Sequence, residues 1–324
     1  MPRVETPRHI RWTRAGWLLL GLLVVLPVAS CGKAASSPSA SSGASSPAVV
    51  ESSASPTGQP PRLAHVFLIL EENKDYAQIV GSPVAPYINS LIGRYALATN
   101  YHALFHPSLP NYIALTSGSN YGITGDVPAV GNELAVTNIA DLIEASGRTW
   151  REYAESLPSA GFAVDTAEYA VRHNPFVYYK DIARNAQREG AHIVPLAQLT
   201  ADLSSAQTTP DYAFITPNVL DDMHSGSDPV AAGDRWLART VPLILGSPAF
   251  KTSTSLLIVT WDEDLGAPGN HIPTILCGNA VKPGYRSGRR YDHYSLLHTI
   301  EAAWQLAPMT ANDARAPTMN EFFK

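Results

Sequence analysis

The chain has 324 residues, 45% of them hydrophobic, and a formal charge of −5 at pH 7. Its size allows a sizeable core in one large domain or two small ones. The acidic balance excludes the broad basic face of a nucleic-acid binder. Of its two cysteines, Cys31 closes the leader and Cys277 stands alone in the body. The body therefore has no internal disulfide, and packing must hold it together.

In chain order, the first element is a targeting segment. Arg3, Arg8, Arg11 and Arg14 form a basic stretch before a short apolar run, Trp17 to Leu26. That run is too short for an ordinary membrane-spanning helix. The small residues of VASCG follow, ending at Cys31. This pattern resembles a bacterial lipoprotein signal over residues 1–31, cleaved before a lipidated Cys31. A plain secretory signal cleaved nearby is the alternative. An acylated Cys31 would anchor the exported protein on the outer face of a bacterial membrane. Residues 32–61 are rich in Ser, Ala, Pro and Gly and lack aromatics. They read as a tether, because they cannot offset ordering entropy by burial.

The body is expected to span 62–324. His65 to Leu70 is nearly all apolar, as in a strand covered on both faces. Helical spacing follows over Pro86 to Leu97, and again from Asn111 to Ser117, stopping at Gly118. Asn138 to Ser146 reads as a helix with Thr137 as N-cap and Gly147 as the stop. Thr149 to Tyr153 is the next strand. Residues 155–195 read as an insertion of loops and short helices. Tyr212 to Thr216 and Leu256 to Trp261 are strands, with a helix over Asp234 to Leu245 between them. A short strand at Thr274 to Leu276 and a helix over Tyr294 to Leu306 close the pattern, and the tail after Met309 reads as irregular. Alternating strands and helices predict an α/β fold with a largely parallel sheet.

Three of the apolar strands run directly into polar clusters: Glu71, Glu72 and Asn73; Asp221, Asp222 and His224; Asp262, Glu263 and Asp264. Strand ends in such sheets are where ligands gather. Adjacent carboxylates there repel unless a cation or proton intervenes. Oxygen donors of this kind suit a hard divalent ion. Ser108, between Pro107 and Pro110, precedes a helix whose free amides favour an anion. A metal contact would activate its hydroxyl as a nucleophile; alone, it would read as a helix cap. His106, His224, His271 and His293 are candidates for proton transfer or phosphate contact. His65, His102, His173, His192 and His298 read as structural. Asp222 could orient His224 or ligate a cation, while Asp292 could support His293 or cap the last helix.

The segments EENKDY, HPSLPNYIALTSG, ITPNVLDDMHS, TWDED, NHIPTIL and YDHYSLLHTIEAAW together resemble the phosphoesterase family of bacterial acid phosphatases and phospholipases C, in the alkaline-phosphatase-like superfamily. The resemblance runs from about His65 to Trp304. It implies a three-layer α/β/α sandwich and a metal-dependent phosphomonoesterase. Glu72, Asn73, Ser108, Asp262 and Glu263 would hold a divalent cation of unspecified identity and number. Ser108 would also be the nucleophile, with His106, His224 and His271 contacting phosphate or moving protons. The substrate would be a small phosphate ester or a phosphoinositide or other phospholipid, as in the branch acting on phosphatidylinositol 3-phosphate. Several members carry Asp-Asp where this chain has Asp262-Glu263, and phospholipases often have an acidic residue where Ser225 stands. A phospholipase C-type diesterase, a phosphotransferase and a lipid-anchored, non-catalytic phosphate binder are the rival readings.

Overall fold

The computed structural model describes residues 58–324. The leader, Cys31 and nearly all of the tether lie outside the described residues. Among the described residues nine strands form one sheet: β1 (His65–Glu71), β2 (Ala96–His102), β3 (Trp150–Ala154), β4 (Ile193–Pro195), β5 (Tyr212–Thr216), β6 (Ser255–Trp261), β7 (His271–Cys277), β8 (Arg286–Ser287) and β9 (Tyr291–Asp292). Their order is β4-β3-β5-β1-β6-β7-β2-β8, with β9 also paired to β2. All neighbours are parallel except those of β7, which runs antiparallel to both β6 and β2.

Every residue of β1, β5 and β6 is buried. Successive side chains of a strand point to opposite faces, so both faces of the central sheet are covered. This is the three-layer α/β/α arrangement. The covering helices include α1 (Pro86–Arg94), α2 (Ser108–Ser117), α3 (Ile139–Ala145), α4 (Pro229–Leu245) and α5 (His293–Trp304). α1 packs on α4, and α2 packs on α5. Among the described residues no helix is long and apolar enough to cross a membrane.

Several boundaries differ from the sequence reading. The helix expected over 86–97 ends at Arg94, and Ala96 starts β2. Helical periodicity had absorbed this strand because its first residues are apolar. α2 begins at Ser108 rather than Asn111. Its end is as read: Gly118 takes the left-handed conformation (φ 77°), where an added Cβ would lie 2.9 Å from Thr310. The cap of α3 is Asn138, not Thr137; its side chain accepts from the Ala140 amide. The short strand at 274–276 is a full seven-residue strand. The tail carries a short helix at Ala311–Arg315 and buries Phe322 and Phe323.

This topology positions the chemistry. β5, β1 and β6 are adjacent and parallel, so their carboxyl ends lie along one edge. The loops leaving them carry Asp222 and His224, Glu72 and Asn73, and Asp262 and Glu263. β2 has the same sense as β6, since β7 is antiparallel to both. The chain leaving β2 therefore reaches the same edge with His106 and Ser108.

Candidate active site

Ser108 is the first residue of α2 and is 3% exposed. It is not a cap: Pro107 holds that position, and no side chain caps the helix. Its Oγ lies 3.1 Å from Glu72 Oε2 and 3.4 Å from Glu263 Oε1, and it also meets Asp262. One hydroxyl proton thus faces three carboxylates. Asn111 fixes the approach, since its Oδ1 accepts from the Leu104 and Phe105 amides and its Nδ2 donates to the Phe105 carbonyl.

Glu72 is fully buried and crowded. Tyr112 donates to its Oε1 at 2.5 Å, and Asn73 Nδ2 donates to its Oε2 at 2.8 Å. Asn73 sits in the left-handed region (φ 50°), which asparagine tolerates better than most residues. That turn aims its backbone amide at Asp262 Oδ1, 3.1 Å away. On the next loop Met223 also has φ 76°. The loop closes on itself, with the His224 amide donating to Asp222 Oδ1 at 2.7 Å.

The carboxyls carry the electrical signature of this crowding. Burial, then repulsion by Asp262 and Asp222, raises Glu72 well above the usual carboxylate range. Burial pushes Asp262 up to about 7, with Asp222 adding to the effect. Burial also pushes Asp222 to about 7. Glu263 rises to about 9 through burial and the neighbouring Asp262.

His173, read from sequence as structural, lies inside the cluster. Its ring is buried and stacks on Tyr112 with centroids 5.5 Å apart. Nε2 is 3.3 Å from Glu72 Oε1 and Nδ1 is 3.2 Å from Asp222 Oδ2. Burial pulls its pKa down to about 3, so the ring is neutral at ordinary pH. The Val171–His173 turn delivers it from within the 155–195 insertion. No local pattern in that segment marks it.

The four histidines singled out from sequence fare differently. His106 faces carboxylates on both sides, with Nδ1 2.6 Å from Glu263 Oε2 and Nε2 3.4 Å from Asp264 Oδ1; it is 40% exposed. His224 is exposed, although partial desolvation lowers its pKa. Arg172 donates to its Nε2 at 3.4 Å. A guanidinium can only donate, so Nε2 accepts, and the ring proton sits on Nδ1, 2.9 Å from Ser225 Oγ. His293 lies behind the cluster; its Nε2 donates to the Asp262 carbonyl at 2.8 Å, and Tyr101 donates to Nδ1. Asp292 caps α5 by accepting from the Ser295 amide. His271 is not brought onto the carboxylates. Its ring stacks on Tyr76 (centroids 4.4 Å apart), and Nε2 donates to the Thr99 carbonyl.

Asp264 is buried rather than solvated, as its third place in an acidic run would have suggested. It accepts from the Gly266, Ala267 and His271 amides and so shapes the β6–β7 turn.

The donor set suits a divalent cation in its chemistry. Asp262 Oδ2, Glu263 Oε2, Asp222 Oδ2 and both His173 nitrogens are buried without an aligned hydrogen-bond partner among the described residues. Buried acid oxygens left this way are costly unless a proton or cation supplies the missing charge. Hard oxygen donors match a hard cation. Among the described residues no three His, Cys, Asp or Glu side chains are already arranged as a coordination shell, and Asn73 turns its amide nitrogen, not its oxygen, toward Glu72. The residues fit the cation in type and in unmet charge; the shell itself would close on binding.

Known proteins resemble the chain in both sequence and fold. The family model described as "Phosphoesterase family" matches residues 82–307. The chain is 36% identical over 264 residues to a phosphatidylinositol-3-phosphatase of Mycobacterium tuberculosis, across 81% of this chain and 84% of that one. It is 30% identical over 262 residues to a probable acid phosphatase of Kluyveromyces lactis, 77% of this chain and 60% of that protein. The chain thus spans under two thirds of the Kluyveromyces protein. Among solved structures, a protein in the alkaline phosphatase superfamily from Vibrio parahaemolyticus superposes with a TM-score of 0.56 at 16% identity, covering 80% of this chain and 71% of that one. That likeness concerns the fold.

Proposed function

This chain belongs to the phosphoesterase family, and on that footing we propose that it is a metal-dependent phosphomonoesterase with Ser108 as its nucleophile. The observation that carries the proposal is the meeting of one buried hydroxyl with Glu72, Asp262 and Glu263 at the start of a helix. Glu72, Asn73, Ser108, Asp262 and Glu263 would hold the divalent cation, which would neutralise the phosphoryl oxygens and favour the alkoxide.

Ser108 Oγ attacks phosphorus in line with the leaving oxygen. Its proton passes to the carboxylates it already faces, and the phosphoryl group becomes a phosphoserine. Of the amides opening α2, Leu109's already donates to Asp126 Oδ1 at 3.1 Å and Pro110 has none, which leaves Ser108's own amide for an anion there. His106, half-exposed and held between Glu263 and Asp264, gives a proton to the departing oxygen. Water entering from the same open side attacks phosphorus as it gives a proton back to His106, and the carboxyl returns its proton to Ser108 Oγ as the phosphoserine bond breaks and phosphate leaves. His173 stays neutral and keeps Glu72 and Asp222 apart, and His293 fixes the backbone of Asp262.

Quenching the reaction in acid with a radiolabelled aryl phosphate should trap label on Ser108. A wild-type enzyme that turns over without ever carrying label there would sink the nucleophile assignment.

The relative named a phosphatidylinositol-3-phosphatase supports a phosphoinositide or phospholipid phosphate as substrate. The Cys31 pattern supports an exported protein, lipid-anchored to the outer face of the membrane. Acyl labelling lost in Cys31→Ser would bear this out; undiminished labelling would refute it. The rivals are a phospholipase C-type diesterase and a non-catalytic phosphate binder. Phosphate release from a monoester by the purified protein excludes the second.

A further inference from the structure

The cluster around Ser108 is rich in acid, whereas a phosphate monoester arrives as a dianion. Lys74 lies beside this cluster, but two of its three protons are committed: Nζ donates to the carbonyls of Asn73 (2.9 Å) and Met223 (2.7 Å), and the side chain is buried. Arg172 is placed differently. Its Nε is 3.6 Å from Asp126 Oδ2, and a terminal nitrogen donates to His224 Nε2 at 3.4 Å. Charge-assisted bonds normally close to about 2.7–2.9 Å, so both contacts are loose. Its other N–H groups make no protein hydrogen bond among the described residues, and the side chain is 24% exposed.

Its surroundings give that looseness a direction. Asp126 Oδ1 accepts from the Leu109 amide at 3.1 Å, so the counter-ion rests on the first turn of α2, one residue from Ser108. His224 stands on the loop that leaves β5. Arg172 immediately precedes His173, whose ring lies between Glu72 and Asp222. Three chain segments thus hold one guanidinium at the edge of the carboxylate cluster, facing the start of the Ser108 helix.

Resting on the phosphoesterase reading above, we propose that Arg172 is a phosphoryl clamp that selects monoesters over diesters. A monoester brings three non-bridging oxygens and two charges; a diester brings two and one. With two oxygens engaged on the Ser108 side, only a monoester keeps a third for the guanidinium. A planar fork of donors suits that oxygen and its neighbour better than a point charge does. Arg172 exchanges its two loose contacts for this one, which also uncovers His224 Nε2.

The test uses the full chain with a divalent cation, an aryl phosphate monoester, the corresponding bis-aryl diester, and inorganic phosphate as competitive inhibitor. Arg172→Met should lower kcat/KM for the monoester by about 100-fold, in the range of losing one preorganised donor to a developing anion. It should weaken phosphate inhibition comparably and change diester turnover by less than about threefold. Arg172→Lys should recover part of the phosphate affinity. Asp126→Asn removes the resting counter-ion while retaining an acceptor for Leu109, and should leave phosphate binding equal or tighter. An equal fall on both esters, unchanged phosphate inhibition, or an Asp126→Asn defect matching that of Arg172→Met would overturn the clamp. Wild type inert toward both esters would instead sink the phosphoesterase reading beneath it.

Discussion

Glu72 and Glu152 are both fully buried, and burial pushes both carboxyls well above their usual range. Their surroundings otherwise differ. Glu152 sits within β3, where Thr216 donates to one oxygen at 2.9 Å, and no other charge acts on it appreciably. A single bound proton settles it. Glu72 leaves β1 among Asp262, Asp222 and Glu263, with Ser108, Tyr112 and His173 also against it. Protonating one member there still leaves the others facing each other. A buried acid with a raised pKa is therefore not by itself a site; the convergence of several acids on one hydroxyl is what distinguishes this edge of the sheet.

The sharpest way to break that contrast is Ser108→Ala. It should fold with an unchanged Tm yet lose about 10³-fold or more in kcat on an aryl phosphate; residual activity near wild type would remove Ser108 from the chemistry. Next comes Asp262→Asn, which should cost about 10²-fold or more in turnover and raise, not lower, the Tm of chelator-treated protein, because it relieves repulsion. A lower Tm would mean that Asp262 is held by a partner and not frustrated.

Gly233→Ala should act at one remove. A Cβ there would lie 2.5 Å from Met223 Cγ and Cε and 3.1 Å from the Asp221 carbonyl, displacing the loop that carries Asp222 and His224. Overpacking of this kind costs about 1–3 kcal/mol, and turnover should fall with it. Normal kinetics in a fully stable variant would show that α4 does not set that loop.

The pH dependence of stability follows from the same groups. Asp262 and Asp222 titrate at about 7 and Glu263 at about 9 in the fold, against about 4 unfolded. For acids raised in the folded state, the unfolded chain releases protons first. Their stabilising contribution is complete below about pH 4 and is lost as pH climbs through 7 and 9. Chelator-treated protein should therefore show a falling Tm over that window, and an added divalent cation should restore it most at high pH. A Tm that is flat with pH without the cation would contradict the unmet charge. The smallest effect belongs to Glu152→Gln, which replaces a protonated carboxyl by a neutral isostere; activity should stay within about twofold and Tm within about 2 °C.

Ser108 and the carboxylates at 72, 262 and 263 were legible because each follows a buried strand or opens a helix, and an apolar run ending in charge is a local pattern. His173 was not legible. It lies in an insertion without periodicity, and its stack on Tyr112 joins positions 61 residues apart. Its neighbour Arg172 was missed for the same reason. His271 differs: the resemblance implies phosphate contact or proton transfer, and its ring here stacks on Tyr76 and donates to the Thr99 carbonyl. β2 was hidden because a short apolar stretch after a helix satisfies both periodicities.

Local order in the sequence determined the alternation of elements, the parallel core built on β1, β5 and β6, and the residue types at the strand ends, since side-chain spacing and propensity act within a few residues. The tertiary structure decided which of those ends meet, which histidines face them, and which acids share their burial with other acids. Those outcomes depend on strand order and on side chains far apart in the chain, where Coulomb forces and desolvation act through space.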